Sequence, residues 1–248
     1  MKSRWFVIPE KRPQASLRLF CFPYAAGNAS TYIGWIKYLP DEVELVVVQP
    51  PGRANRIGED PIDNMSEMVQ KVSGEIESYL DKPYMFFGHS LGSRVAFEVM
   101  QIARQKGWLM PLHYIASGSS APHVNRTHKH VSHLTDDEFI HALKRFDGSI
   151  EEIIQNESLV NLFLPLLRAD FNIADTYYRD PGDPLDVSLS VFGGSDDEDA
   201  RPKELSSWDA HFLNIPEISL FKGNHFFIDS AQADVAKKVA LIVGRYIG

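Results

Sequence analysis

Two kinds of hydrophobic pattern alternate along this chain. Short runs rich in β-branched and aromatic residues occupy positions 17–22, 44–49, 84–88, 114–117, 188–192 and 218–222. Between most of them, apolar residues recur every three or four positions. Runs such as Leu45-Val46-Val47-Val48 and Met85-Phe86-Phe87 are apolar at consecutive positions rather than at alternate ones. Strands buried on both faces read this way, as in a mostly parallel sheet flanked by helices. The pattern therefore predicts one α/β domain over residues 1–248, with no internal repeat or low-complexity linker to divide it.

One stretch breaks the alternation. Residues 121–178 read as all-helical. Thr135 and Glu138 have capping-box spacing, and Phe139, Ile140, Leu143 and Phe146 follow at helical intervals, with Gly148 as a stop. Farther on, Leu159, Val160, Leu162, Phe163, Leu164, Leu166, Leu167, Phe171 and Ile173 are too many for a helix with one buried stripe. Pro165 is expected to kink or restart that helix. The stretch is read as a helical lid over the carboxyl ends of the strands, where open α/β sheets bind ligands.

Charge and composition narrow the partners. With 33 acidic and 25 basic residues the net charge is −8, which argues against nucleic acid, whose phosphates need clustered Lys and Arg. Cys21 is the single cysteine, so neither an internal disulfide nor a cysteine zinc site is available. The apolar run at residues 5–8 is too short for a signal peptide, and no run reaches the roughly 20 residues of a membrane span. A cytoplasmic monomer is the expectation, with no metal and no organic cofactor.

The chemistry starts at Gly88-His89-Ser90-Leu91-Gly92, a G-x-S-x-G sequence. The bare pattern is common. Here a buried-looking strand runs straight into it, and a helical pattern with Leu91, Val95, Val99 and Ile102 on one face leaves it. Strand, sharp turn and helix make a nucleophile elbow, the mark of the α/β-hydrolase fold, with Ser90 as nucleophile. Serine needs a neighbouring base, and in this fold the order is Ser, then an acid, then His after the last strand. Of nine histidines only His225 follows the last predicted strand. The acid belongs after the penultimate strand, where Asp196, Asp197, Glu198 and Asp199 all compete. One oxyanion donor is the N–H of Leu91, and the other comes from the loop around Pro23-Tyr24-Ala25-Ala26-Gly27.

Several motifs together resemble the type II thioesterases that accompany nonribosomal peptide and polyketide synthases, over nearly the whole length. Cys21 to Gly27 is similar to that family's FPYAGG loop, Trp35 falls on a family Trp, and Pro51-Gly52-Arg53 with Arg56 is similar to its PGR-x-x-R. Leu164-Pro165-Leu166-Leu167-Arg168-Ala169-Asp170-Phe171 is similar to its lid motif. Gly193, Gly194, Asp197, Leu205 and Trp208 follow its spacing, and Gly223-Asn224-His225-Phe226-Phe227 is similar to its GGHFF.

The resemblance implies that Asp197 is the acid and that Ala25 carries the second oxyanion donor. It also implies the reaction: hydrolysis of acyl groups from the phosphopantetheine arm of carrier proteins, to clear stalled or misprimed units. Three positions depart from the family. Ala26 stands for a usual Gly and would be strained at positive φ. Glu198 follows the acid in place of Pro, and Asn224 replaces a Gly. The same triad would also serve a carboxylesterase or lipase, or a product-releasing thioesterase, and the fold without chemistry would make a binding module. Arg53 and Arg56 read as ion-paired residues or substrate contacts, Asp170 as a lid-to-core link or a helix-surface residue. Arg126, Lys129, Lys144 and Arg145 form a candidate docking patch for an acidic carrier, or a solvated face.

Overall fold

The computed structural model describes residues 3–124, 130–143 and 155–247. Among these residues seven strands form one sheet: β1 (Phe6–Val7), β2 (Leu17–Phe22), β3 (Val43–Val48), β4 (Tyr84–His89), β5 (His113–Ser117), β6 (Ser188–Gly194) and β7 (Glu217–Phe221). Their order is β1-β3-β2-β4-β5-β6-β7. All neighbours are parallel except β1, which pairs antiparallel to β3 through Phe6 with Val48 and Val7 with Val47. The six strands predicted from sequence are present, within two residues at each end. The two-residue edge strand β1 was not anticipated.

The consecutive apolar runs are explained by two cores. Phe20, Phe22, Val46, Val48, Phe86 and Tyr114 face one side of the sheet. Leu19, Cys21, Leu45, Val47, Phe87 and Ile115 face the other, beneath Trp35. Successive strand residues point to opposite faces, so a strand covered on both must be apolar throughout. Helix α1 (Ser30–Ile33) follows β2. Helix α2 (Met65–Ile76) is capped by Asn64, whose Oδ1 accepts the Glu67 N–H at 2.8 Å, and it buries Met68, Val69, Val72 and Ile76. Helix α3 (Leu91–Lys106) leaves β4 and ends at Gly107 in the left-handed conformation.

The stretch between β5 and β6 contains α4 (Asp136–Leu143) and α5 (Glu157–Thr176). The expected capping box is made: the Thr135 N–H donates to Glu138 Oε2 at 3.0 Å and the Glu138 N–H to Thr135 Oγ1 at 3.4 Å. Phe146, Gly148 and the basic residues Arg126, Lys129, Lys144 and Arg145 lie outside the described residues. Pro165 does not end the helix, which runs through it for 20 residues. It marks a border instead: the turns before it are exposed or half-buried, and Leu166, Leu167, Ala169, Asp170, Phe171, Ile173 and Ala174 after it are buried. Tertiary packing of the second half offsets the lost hydrogen bond. The apolar excess of the first half stays partly in solvent, with Leu162 more than half exposed.

Helices α6 (Phe227–Ser230) and α7 (Gln232–Val243) close the chain. Val131, Phe139, Leu143, Leu167 and Phe171 form a third small core, against which Ala25, Ala26 and Phe226 pack. It seats α4 and α5 on the loops at the carboxyl ends of β2 and β7. No helix among the described residues is long and apolar enough to cross a membrane.

Candidate active site

The order of strands reverses at β2 and β4. From β2 the chain goes to β3 on one side, and from β4 it goes to β5 on the other. The loops leaving β2 and β4 therefore part, and a crevice opens at their carboxyl ends. Ser90 stands in it, at the junction of β4 and α3.

Its backbone has φ 52° and ψ −116°, outside the regions L-residues favour. Such a conformation costs about 1–3 kcal/mol and persists only when its surroundings fix it. Here the Ser90 N–H donates to the Ser117 carbonyl at 2.8 Å, and the Ser93 hydroxyl ties the Gly88 carbonyl at 2.6 Å. Both glycines of the motif are required by space. A Cβ on Gly88 would lie 2.5 Å from the Gly92 carbonyl oxygen, and one on Gly92 would lie 2.1 Å from the Phe22 carbonyl oxygen. The turn lifts Ser90 Oγ clear of the sheet towards His225.

The structure brings Ser90, His225 and Asp197 together. His225 Nε2 lies 2.8 Å from Ser90 Oγ, and His225 Nδ1 lies 2.9 Å from Asp197 Oδ2. Asp197 Oδ1 accepts the N–H groups of Asp199 at 2.8 Å and Ala200 at 2.9 Å. Burial pushes the Asp197 carboxyl up, but His225 and those two N–H groups outweigh it and hold the group below its ordinary range. The other sequence candidates fall elsewhere: Asp196 and Glu198 are exposed, and Asp199 is half-buried beside the site. The carboxylate that is both buried and against the imidazole is Asp197.

Two residues have roles in the site that the sequence does not assign. His89, fully buried, has Nε2 2.9 Å from the His225 carbonyl oxygen and Nδ1 2.9 Å from Ser117 Oγ. A carbonyl only accepts, so Nε2 carries the proton and the Ser117 hydroxyl donates to Nδ1. Burial, aided by repulsion from His225, lowers the His89 pKa to about 3, so the ring stays neutral and braces the His225 backbone. Trp208 is the second: its indole N–H donates to the Ser119 carbonyl at 2.7 Å and fixes the wall of the crevice.

A pocket of about 540 Å³, open to solvent, adjoins Ser90 and His225. Ala25, Arg94, Ser119, Phe171, Ala174 and Phe226 are among the residues that line it. The Leu91 N–H begins α3, where a helix offers no acceptor of its own. Ala26 is left-handed, with φ 62°, so the alanine that replaces a family glycine does occupy a strained position. Asn224 avoids positive φ and instead accepts the Phe226 N–H on its side chain at 2.9 Å. Arg56 pairs with Glu59 and Arg53 with Asp170, while Cys21 is buried in β2.

Donor atoms of Asp197, Asp199 and His225 lie within 4.8 Å of one another. Those of Asp197 and His225 are engaged with each other, with Ser90 and with backbone N–H groups, an arrangement for moving a proton.

Comparison with known proteins identifies the family. The family model "Thioesterase domain" matches residues 17–242. The chain is 34% identical over 233 residues to the gramicidin S biosynthesis protein GrsT of Aneurinibacillus migulanus, covering 94% of this chain and 91% of that one. It is similar to the type II thioesterase BorB of the borrelidin biosynthetic cluster, with TM-score 0.86, 28% identity and 97% and 98% of the two chains covered. It is also similar to RedJ, the thioesterase of the prodiginine pathway of Streptomyces coelicolor, with TM-score 0.86, 32% identity and coverage of 93% and 92%. Because the match takes in every strand from β2 to β7 and the loops that carry Ser90, Asp197 and His225, this α/β-hydrolase-type protein belongs to the thioesterase family and is an enzyme that hydrolyses thioesters.

Proposed function

We propose that the protein is an editing thioesterase that strips acyl groups from the phosphopantetheine arm of carrier proteins, with Ser90, His225 and Asp197 as its catalytic triad. The observation that carries this reading is the continuous hydrogen-bonded chain from buried Asp197 through His225 to Ser90 at the pocket. Asp197 keeps the Nδ1 proton on His225, leaving Nε2 to accept. As Ser90 Oγ attacks the thioester carbonyl, its proton passes to His225 Nε2. The oxyanion is held by the N–H groups of Leu91 and Ala25. The carbon–sulfur bond breaks, the proton on His225 goes to the departing thiolate, and the acyl group stays on Ser90. A thiol has a pKa near 8.5, so it leaves with little assistance. Water then gives a proton to His225 and attacks the ester; His225 returns that proton to Ser90 Oγ as the acyl–oxygen bond breaks, and the acid is released. Helices α4 and α5, within residues 121–178, act as the lid, and the acyl chain lies along Phe171 and Ala174. We place the enzyme in the cytoplasm, as a monomer beside a synthase.

Intact-mass analysis of an acyl-loaded carrier protein tests this. The acyl mass is expected to disappear with active enzyme, leaving the free phosphopantetheine thiol, and to persist with enzyme treated with a fluorophosphonate. Persistence across short and long acyl groups, while a simple ester is cleaved, would replace the editing role with that of a carboxylesterase.

A further inference from the structure

The loop after β2 is held in a conformation its own residues disfavour, and a lid side chain holds it there. Tyr24 to Gly27 form a tight turn, closed by the Gly27 N–H on the Tyr24 carbonyl at 2.8 Å. Ala26, its third residue, has φ 62°, the sign a type II turn requires there. Glycine takes that position freely, and alanine does not. The alternative type I turn gives Ala26 the negative φ it prefers and flips the peptide plane between Ala25 and Ala26.

Asp170 decides between the two. Its carboxylate, on α5 and fully buried, accepts the Ala26 N–H at 2.6 Å. In the flipped turn the Ala25 carbonyl oxygen would face that carboxylate instead, oxygen against oxygen. Arg53 keeps the carboxylate aimed: Nη1 donates to Oδ2 and Nη2 to Oδ1, each at 2.9 Å. Arg53 Nη1 also donates to the Gly27 carbonyl at 3.2 Å, so the pair grips both sides of Ala26. Arg53 is itself almost fully buried, and a two-toothed pair of this kind fixes direction.

We propose that Asp170, with Arg53 as its counter-ion, is a positioning residue that holds the oxyanion loop in the left-handed turn and so makes oxyanion stabilisation depend on the seating of helix α5. This rests on the reading of Ala25 as an oxyanion donor. Asp170 touches no reacting atom. It acts through Ala26 on the course of the whole turn, which also carries the Ala25 N–H in the preceding peptide, and because it belongs to α5 the lid and the oxyanion loop are mechanically joined.

The test compares wild type, Asp170→Asn, the charge-free pair Arg53→Met/Asp170→Leu, and each variant with Ala26→Gly added. Rates on an acyl-carrier thioester and on a small acyl ester are divided by the number of sites a fluorophosphonate titrates. Asp170→Asn is expected to lower kcat per titrated site by about 10–100-fold, with KM within about threefold, since losing an oxyanion donor outright costs about 10²–10³. The charge-free pair, which leaves no ion unpartnered in the interior, is expected to lose a similar factor. Adding Ala26→Gly is expected to restore about tenfold in both, because glycine holds the turn without the brace.

A role in folding alone would lower the melting temperature and the number of titratable sites while leaving kcat per site unchanged, and that result overturns the proposal. So does a loss that Ala26→Gly fails to restore. If wild type cleaves the ester but not the carrier thioester, the editing role falls and the brace is judged on the ester. If it cleaves neither, the oxyanion reading and the brace fall together.

Discussion

Asp197→Asn is expected to lower kcat for thioester hydrolysis by about 10⁴ while the protein stays folded. The asparagine carbonyl can keep the N–H groups of Asp199 and Ala200, which now bond Asp197 Oδ1. Its amide NH₂ then faces His225 Nδ1, a position that has to donate for catalysis. A donor opposite a donor forces the other tautomer: Nδ1 accepts, and the proton moves to Nε2, 2.8 Å from Ser90 Oγ. A protonated Nε2 cannot take the serine proton, so the geometry survives and the base is lost. KM, set by the pocket and the carrier, is expected to stay within a few fold. Steady-state kinetics with a thermal melt check this. A variant within tenfold of wild type would show that His225 does not depend on Asp197.

Acidification from pH 7 to pH 5 is expected to lower the unfolding temperature by more than about 10 °C. His89, His113 and His211 are all buried, and burial lowers their pKa values to about 3, 4 and 4. Neighbouring guanidinium groups add to the effect: Arg245 acts on His113 and Arg179 on His211. In the unfolded chain each titrates near 6.5. Between that value and 3 or 4 the unfolded state binds more protons than the folded one, so stability rises with pH there. It is complete above about 6.5 and is lost as pH falls through the window. Each histidine contributes about 1.4 kcal/mol per pH unit well below 6.5, so three together remove roughly 6 kcal/mol by pH 5, out of a typical total of 5–15.

His113 offers the control. It bridges Tyr246 and Ser190 by hydrogen bonds of 3.0 and 2.9 Å, away from Ser90, so a neutral replacement such as His113→Gln should reduce the slope by about a third. Asp229, whose carboxyl burial raises against the opposing bond from Tyr24, works in the other direction, and only near the carboxylate range. A melting temperature unchanged from pH 7 to 5 would refute this account of the three histidines.

Why some of this was legible in sequence and some was not follows from the range of the interactions. Doubly covered strands must be apolar at every position, so 44–49 and 84–88 were readable as buried strands. The edge strand β1 has two residues, Phe6 and Val7, too few to show any period. The elbow was readable because strand, turn and helix are contiguous, and both glycines answer to contacts within or next to that turn. The acid was not, because Asp196, Asp197 and Glu198 differ in burial, which a run of acidic residues does not reveal; family spacing pointed to Asp197.

Asp170 and His89 are harder still. Asp170 meets Ala26 across 144 positions and His89 meets His225 across 136, so only the folded chain joins them. The sequence offers Asp170 as a lid-to-core link or a helix-surface residue without naming its partner, and the alanine at Ala26 adds a clue, since a non-glycine at a left-handed position calls for something to hold it. At Pro165 local propensity favours a kink or a restart; the helix does not restart there, because the packing of Leu166, Leu167 and Phe171 carries it through.

The central claim is that Ser90 attacks the thioester and carries the acyl group. Rapid acid quench of the enzyme mixed with an acyl-loaded carrier, followed by peptide mass mapping, tests it most directly. The expected result is an acyl adduct on the peptide containing Ser90, formed as the carrier loses its acyl mass and absent from Ser90→Ala, which leaves the carrier loaded. An adduct on another residue, or a carrier discharged equally well by Ser90→Ala, would contradict it.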